Sequence, residues 1–233
     1  MLTIKKILLT GFEPFGGSAV NAAWEAVCCV RETQLGIGGV GGSAIGGGGV
    51  IGGFGGDGSG CTIVTAKLPV DTALVQERLF GLLDTCQPDA VVLCGQASGR
   101  SAISLERVAL NILDFSIPDN AGRLMTDQCI VADGPAAYWS TLPIRLAMNQ
   151  LIEEGVPAEI SNTAGTYLCN QAMYLALHYL NIKKLSLPAG FIHVPALPEQ
   201  AAAATAKNNM PSMTCEVTVK GLRIILQQIA AII

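Results

Sequence analysis

The run Asp89-Ala-Val-Val-Leu-Cys-Gly95 is apolar without alternation. A strand covered on one face alternates, whereas a strand covered on both faces does not, and the second case is an interior strand of a parallel sheet. Such a sheet needs helices on both sides, and the rest of the chain supplies the matching alternation. Strand patterns cover 5–10, 62–68, 107–113, 158–161 and 191–194, and helix patterns cover 21–34, 73–85, 142–154, 169–180 and 215–233. At 233 residues the chain fits one large domain. The predicted fold is a single-domain α/β/α sandwich over residues 1–233, with a twisted, mostly parallel central sheet.

Composition narrows the function classes. Half the residues are apolar and 14% are charged, enough for a sizeable core. A net charge of −4 leaves no basic footprint for nucleic acid. No apolar run reaches the roughly 18 residues of a membrane helix. Lys5 and Lys6 precede Ile-Leu-Leu, but Gly11, Glu13 and Pro14 cut that run short, so Met1 to Thr10 reads as a first strand rather than a leader. Eight cysteines include no C-x-x-C pair, so neither a zinc site nor a redox motif is expected. Reduced thiols in a cytosolic protein are the expectation. Residues 36–60 hold 15 of the 27 glycines, and Gly36-Ile-Gly-Gly-Val-Gly41 satisfies G-x-G-x-x-G. That match follows from glycine density, and it follows a helix rather than a strand, so the tract reads as a flexible loop insertion. Leu222, Ile225, Leu226, Ile229, Ile232 and Ile233 form an apolar stripe on the last helix, suited to packing on the sheet or to a subunit contact.

Chemistry concentrates in Ser161-Asn-Thr-Ala-Gly-Thr-Tyr-Leu-Cys-Asn170 and Gly190-Phe-Ile-His-Val-Pro195. Gly165 permits a tight turn that delivers Cys169 to a helix start, where the dipole and free N–H groups are expected to lower the thiol pKa and to serve an oxyanion. A thiolate beside an imidazole can cleave an amide through a covalent intermediate. Of the two histidines, His178 lies nine residues along the same helix, roughly 13 Å from the cysteine. His193, at the end of a strand, is the better partner. Glu106, Asp114 and Asp119 compete to orient the imidazole, and the residues alone do not choose among them.

Several ordered segments resemble one family. Thr10-Gly-Phe-Glu-Pro-Phe-Gly-Gly17, Gly95-Gln-Ala-Ser-Gly-Arg100, Glu106-Arg-Val-Ala-Leu-Asn111 and Ile117-Pro-Asp-Asn-Ala-Gly122 are similar to motifs of pyroglutamyl peptidase I. So are Asp133-Gly-Pro-Ala-Ala-Tyr-Trp139, Thr163-Ala-Gly-Thr-Tyr-Leu-Cys-Asn170, Phe191-Ile-His-Val-Pro195 and Leu197-Pro-Glu-Gln200. The resemblance implies a cytoplasmic cysteine exopeptidase acting on peptides with N-terminal pyroglutamate, without metal or cofactor, on a single α/β/α domain often assembled as a tetramer. It assigns Cys169 as nucleophile, His193 as base and Glu106 as third member. It places Phe12, Phe15, Val70, Ile117, Tyr167 and Leu168 around the lactam ring, with Asn21 and Gln96 as nearby polar groups. Apolar walls suit a flat uncharged lactam and disfavour a free ammonium.

The chain departs from the family pattern at several points. Ser116 stands at a usual arginine, Ser98 at a usual glycine, Tyr167 at a usual phenylalanine and Ala196 at a usual aromatic, while Asp71 occupies a usually apolar position. Two other readings are a catalytically impaired relative that binds blocked N-termini, and a nucleoside or nucleotide enzyme on a similar scaffold. The second lacks a G-x-x-x-x-G-K-[ST] motif in this sequence.

Overall fold

The structure, a computed structural model, describes residues 5–32, 50–54, 61–204 and 209–233. In chain order the first elements are β1 (Lys5–Phe12), α1 (Ala22–Glu32), β2 (Val50–Phe54), β3 (Cys61–Leu68), α2 (Val75–Cys86), β4 (Ala90–Gln96), β5 (Ile103–Glu106) and β6 (Val108–Leu110). They are followed by β7 (Ala137–Trp139), α3 (Ile144–Glu153), β8 (Ala158–Ser161), α4 (Leu168–Lys183), β9 (Ala189–Val194), α5 (Pro198–Ala203) and α6 (Cys215–Ala230).

Seven strands form one sheet in the order β2-β3-β1-β4-β9-β5-β8. The four central strands β3, β1, β4 and β9 are parallel, and β2 is antiparallel to β3. β5 runs antiparallel to β9, and β8 runs parallel to β5. Successive side chains of a strand point to opposite faces, and β4 feeds two cores in this way. Val91 and Leu93 pack with Leu79 of α2 and Leu175 of α4. Val92 and Cys94 pack with Val27 of α1, Leu151 of α3 and Leu222 of α6. The unalternating run is therefore the seam between two apolar layers, and the architecture is an α/β/α sandwich.

The sheet order also locates the crevice. The chain goes from β1 through α1 to β3 on one side, then through α2 to β4 on the other side of β1. α1 and α2 pack on opposite faces, so a gap opens beyond the carboxyl ends of β1 and β4. Phe12 ends β1 and Gln96 ends β4 at this gap.

Three sequence expectations change, and one choice left open is made. Val50–Phe54, inside the tract read as a loop, forms an edge strand with a register shift between Ile51 and Phe54; residues 36–49 and 55–60 lie outside the described residues. The strand expected over 107–113 is only Val108–Leu110, paired with β7 in a separate two-stranded sheet. The main-sheet strand at that point is β5, just upstream, with Glu106 as its last residue. α4 extends to Lys183 and is buried along most of its length, so little amphipathic pattern marked its end. On α6 the stripe is used for the sheet: Leu222, Ile225, Leu226 and Ile229 are buried in the α1 and α3 layer, and Ile232 is 52% exposed.

Candidate active site

The loop before α4 turns at Gly165, whose φ of +80 is a conformation that favours glycine. Tyr167 then starts the helix in extended conformation, without a side-chain cap. Cys169 is thus in the first turn, where backbone N–H groups have no intrahelical acceptor. Asn170 anchors this turn. Its fully buried amide accepts from Leu110 N at 2.8 Å and donates to the carbonyls of Leu110 at 2.8 Å and Ile112 at 3.0 Å. Gln171 adds a bond to the carbonyl of Thr72 at 3.0 Å. Asn170→Ala removes three hydrogen bonds to part-buried backbone groups of Leu110 and Ile112, an expected loss of about 2–4 kcal/mol in urea unfolding, with activity falling in parallel.

Beneath the cysteine, the sheet makes room. A methyl group on Gly95 would lie 2.8 Å from Cys169 Sγ and 2.8 Å from Phe191 Cζ. Gly95 is the register partner of His193 on β9, so the sulfur rests over the strand beside the imidazole. Gly95→Ala is expected to displace the sulfur and reduce kcat/KM by roughly a hundredfold with far-UV circular dichroism unchanged. Full activity in that variant would show that the sulfur's seat does not matter.

His193 is 4% exposed, and its ring lies 4.8 Å from that of Phe191. Ser104 is its register partner on β5, which puts Glu106 on the same face and diagonal to the imidazole. His193 Nδ1 and Glu106 Oε1 are 2.7 Å apart. The same oxygen accepts from Arg100 Nη1 at 2.6 Å. The rival acids are elsewhere. Asp119 is buried but accepts from the N–H groups of Thr72, Ala121 and Arg123, locking its own turn. Asp114 is exposed. His178 meets the Tyr138 hydroxyl at 2.8 Å and stacks on Tyr174, away from the thiol on the same helix.

Electrostatics differ from the sequence expectation at one point. Burial pushes the Cys169 thiol up to about 12, the Glu106 charge adds to this, and the opposing pull of Arg100 and of the cysteine's own backbone N–H is weaker. The helix start does not make this thiol acidic, because desolvation of the sulfur outweighs it. Burial likewise lowers the His193 pKa; Glu106 opposes this and Arg100 reinforces it. For Glu106, burial acts to raise the pKa, but the His193 hydrogen bond and charge, with Ser161 and Arg100, outweigh it and hold the carboxyl below its ordinary value. The site thus sets a buried thiol and a buried imidazole beside a carboxyl held toward its charged form.

Next to the sulfur is a small cavity lined by Phe12, Phe15, Asn21, Val70, Gly95, Gln96, Tyr167, Leu168 and Cys169. Of the residues expected around a ring, Ile117 is not in this lining; it is 39% exposed on the neighbouring loop. Asn21 and Gln96 also build the wall. Asn21 Oδ1 accepts from Ala23 N at 3.0 Å, capping α1, and its Nδ2 donates to the Glu13 carbonyl. Gln96 Oε1 accepts from Ala22 N at 2.8 Å, and its Nε2 donates to Ser98 Oγ at 2.9 Å. Gln200 ties the wall together, donating to Ser18 Oγ, the Val20 carbonyl and Gln96 Oε1.

Three of the departures find structural partners, one being Ser98, which accepts from Gln96 Nε2. The Tyr167 hydroxyl donates to the Pro118 carbonyl at 3.1 Å. Asp71 pairs with Arg123 at 2.6 Å and caps the turn at Ala73. Arg100, Asn170 and Gln200 were not singled out as site residues in the sequence, although all three lie within the recognised motifs.

An α/β/α sandwich that brings a thiol, an imidazole and a buried carboxylate to its strand ends has the layout of a cysteine-type hydrolase. The comparisons are more specific: the pyroglutamyl peptidase family model matches residues 54–232, and the chain belongs to that family. It is 42% identical to a pyrrolidone-carboxylate peptidase of Vibrio parahaemolyticus, over 96% of this chain and 92% of the relative. It is 40% identical to one from Thermococcus kodakarensis, over 96% and 95%. A mutant pyrrolidone carboxyl peptidase structure from Pyrococcus furiosus matches with a TM-score of 0.83 and 38% identity, covering 97% of this chain and 99% of that one. Pyroglutamyl peptidase I from Bacillus amyloliquefaciens matches with a TM-score of 0.79 and 36% identity, covering 97% of both chains.

Proposed function

We propose that this chain hydrolyses the amide bond after an N-terminal pyroglutamyl residue, with Cys169 as nucleophile, His193 as base and Glu106 as the acid that orients it. The observation that carries the reading is the small apolar cavity beside Cys169 Sγ. Its lining is apolar where it meets the open space, as suits a flat uncharged ring. Phe12, Phe15, Val70, Tyr167 and Leu168 supply apolar walls, and Asn21 and Gln96 complete the lining with amides tied into the wall's own hydrogen bonds. Ile117 is assigned to the same site from the neighbouring loop.

Nε2 of His193 takes the Cys169 proton as sulfur attacks the pyroglutamyl carbonyl carbon. First-turn N–H groups of α4 stabilise the oxyanion. The C–N bond breaks, the imidazolium gives its proton to the leaving amine, and a thioester remains. Water, deprotonated by His193, attacks the thioester; free pyroglutamate departs and the thiol regains a proton. The chemistry uses neither metal nor cofactor. Residues 1–233 act as one peptidase domain with the glycine-rich tract 36–60 as an insertion. The chain works in the cytoplasm, where Cys169 stays reduced, and as a homo-oligomer, a tetramer on the family resemblance. Among the described residues no helix is long and apolar enough to cross a membrane.

The deciding experiment offers matched fluorogenic amides of pyroglutamate, proline and glutamate. Release from the pyroglutamyl amide is expected to exceed that from the prolyl amide by at least about a hundredfold, because proline lacks the ring carbonyl. The glutamyl amide, with an ammonium and a carboxylate to desolvate, should give none. No release from the pyroglutamyl amide would remove the reading.

A further inference from the structure

We propose that Arg100 is a positioning residue of this site, sharing one oxygen of Glu106 with His193 and offsetting the pull of that carboxylate on the imidazole. The inference rests on the peptidase reading only through the assignment of His193 as base. Its geometric basis is a three-membered array centred on Glu106 Oε1, with Nη1 of Arg100 at 2.6 Å and Nδ1 of His193 at 2.7 Å. Glu106 is wholly buried, and the Arg100 side chain is 28% exposed. A buried carboxylate without a cation would be costly to keep ionised. Arg100 therefore preserves the acceptor that engages Nδ1 and leaves Nε2 free of the carboxyl.

The guanidinium does a second thing. A lone carboxylate beside an imidazole favours the protonated ring, and a protonated ring cannot take the Cys169 proton. A cation on the same oxygen offsets that pull. The charged and titratable groups around the ring are Glu106 from β5, Arg100 from the turn after β4 and Cys169 from α4. Glu159 of β8 is engaged by Ser104, the register partner of His193, at 2.9 Å. Arg100 is the cation that acts on the carboxyl, the imidazole and the thiol together. Ser116, at the position of a usual family arginine, is exposed and brings no charge of its own.

The chain places Arg100 economically. The turn that closes with Arg100 N donating to the Ala97 carbonyl at 3.2 Å begins directly after Gln96, which lines the cavity. One short segment thus builds the wall of the ring site and supports the acid.

The test compares Arg100→Met and Arg100→Lys with wild type. The His193 midpoint is read by NMR titration, with His178 as internal reference and His193→Asn for assignment; turnover of a pyroglutamyl amide is followed against pH. Arg100→Met should raise the midpoint by about 1 pH unit and move the acid limb of kcat/KM upward by the same amount. KM should stay within about twofold, because Arg100 is outside the ring cavity. Arg100→Lys keeps a cation and should restore both to within roughly 0.3 unit. If the Met variant does not fold, Arg100→Gln takes its place. A folded variant with an unmoved midpoint, or a Lys variant displaced as far as the Met variant, overturns the proposal. A moved midpoint in a chain whose wild type releases nothing supports the placement of Arg100 and overturns the peptidase reading.

Discussion

Cys169→Ala abolishes release from a pyroglutamyl amide, with kcat falling by at least about 10⁴-fold, while the folded state persists. Both halves of that expectation come from the surroundings of the sulfur. Cys169 is partly exposed at a helix start, and the anchoring of that start depends on Asn170 and Gln171 rather than on the thiol. Removing Sγ leaves the space over Gly95 open and breaks no structural hydrogen bond described above. Stability should change by no more than about 1 kcal/mol. The ring cavity loses one atom of its wall, so pyroglutamate is expected to bind the variant. Cys129→Ala, at an exposed cysteine far along the chain, serves as the control with full turnover. More than about 1% of wild-type kcat in Cys169→Ala would mean that another group attacks the carbonyl.

Glu106→Gln is expected to cost about 10³–10⁴ in kcat and to change how the protein responds to acid. The amide keeps the size of the carboxyl but presents an N–H₂ group as well as an oxygen, so it can hold the wrong imidazole tautomer, and it leaves Arg100 without its counter-ion. The folded Glu106 carboxyl titrates below its ordinary value of 4.5. Its contribution to stability is therefore complete above about 4.5 and is lost as pH falls through the lower folded value. Wild type should lose stability over that acid window, and Glu106→Gln should lose less. Asp119, also held below its ordinary value, contributes with the same sign in both proteins. Urea midpoints measured from pH 6 down to about 3 check the difference. Parallel curves would show that the carboxyl is not held in the charged form by its partners.

The layering was legible because β4 is apolar on both faces and because helices follow most strands. Other elements were hidden for physical reasons. β5 is only four residues, and its Ser104 and Glu106 are buried polar groups, so its alternation looks like a solvent-facing strand. The strand was expected one segment later, where β6 makes a small separate ribbon. β2 contains Gly52 and Gly53, which carry no side-chain pattern at all. Cys169 and His193 stood out by local context and by scarcity. Choosing Glu106 over Asp114 and Asp119 needed either the family motif or the β5–β9 register, which no local pattern encodes. The state of the thiol was illegible for a similar reason. A helix start is visible in the residues, but the desolvation that overrides it depends on β4, β9 and the aromatic ring brought against the sulfur from elsewhere.

The Gln200 clasp has a consequence for synthesis. Its bond to Ser18 spans 182 residues, and the same amide holds Gln96 and the carbonyl of Val20. The wall of the ring cavity is therefore completed only when Gln200 meets segments made far earlier in synthesis. A nascent chain on the ribosome has no finished cavity wall until the Gln200 segment has cleared the exit tunnel, after Cys169 has already emerged.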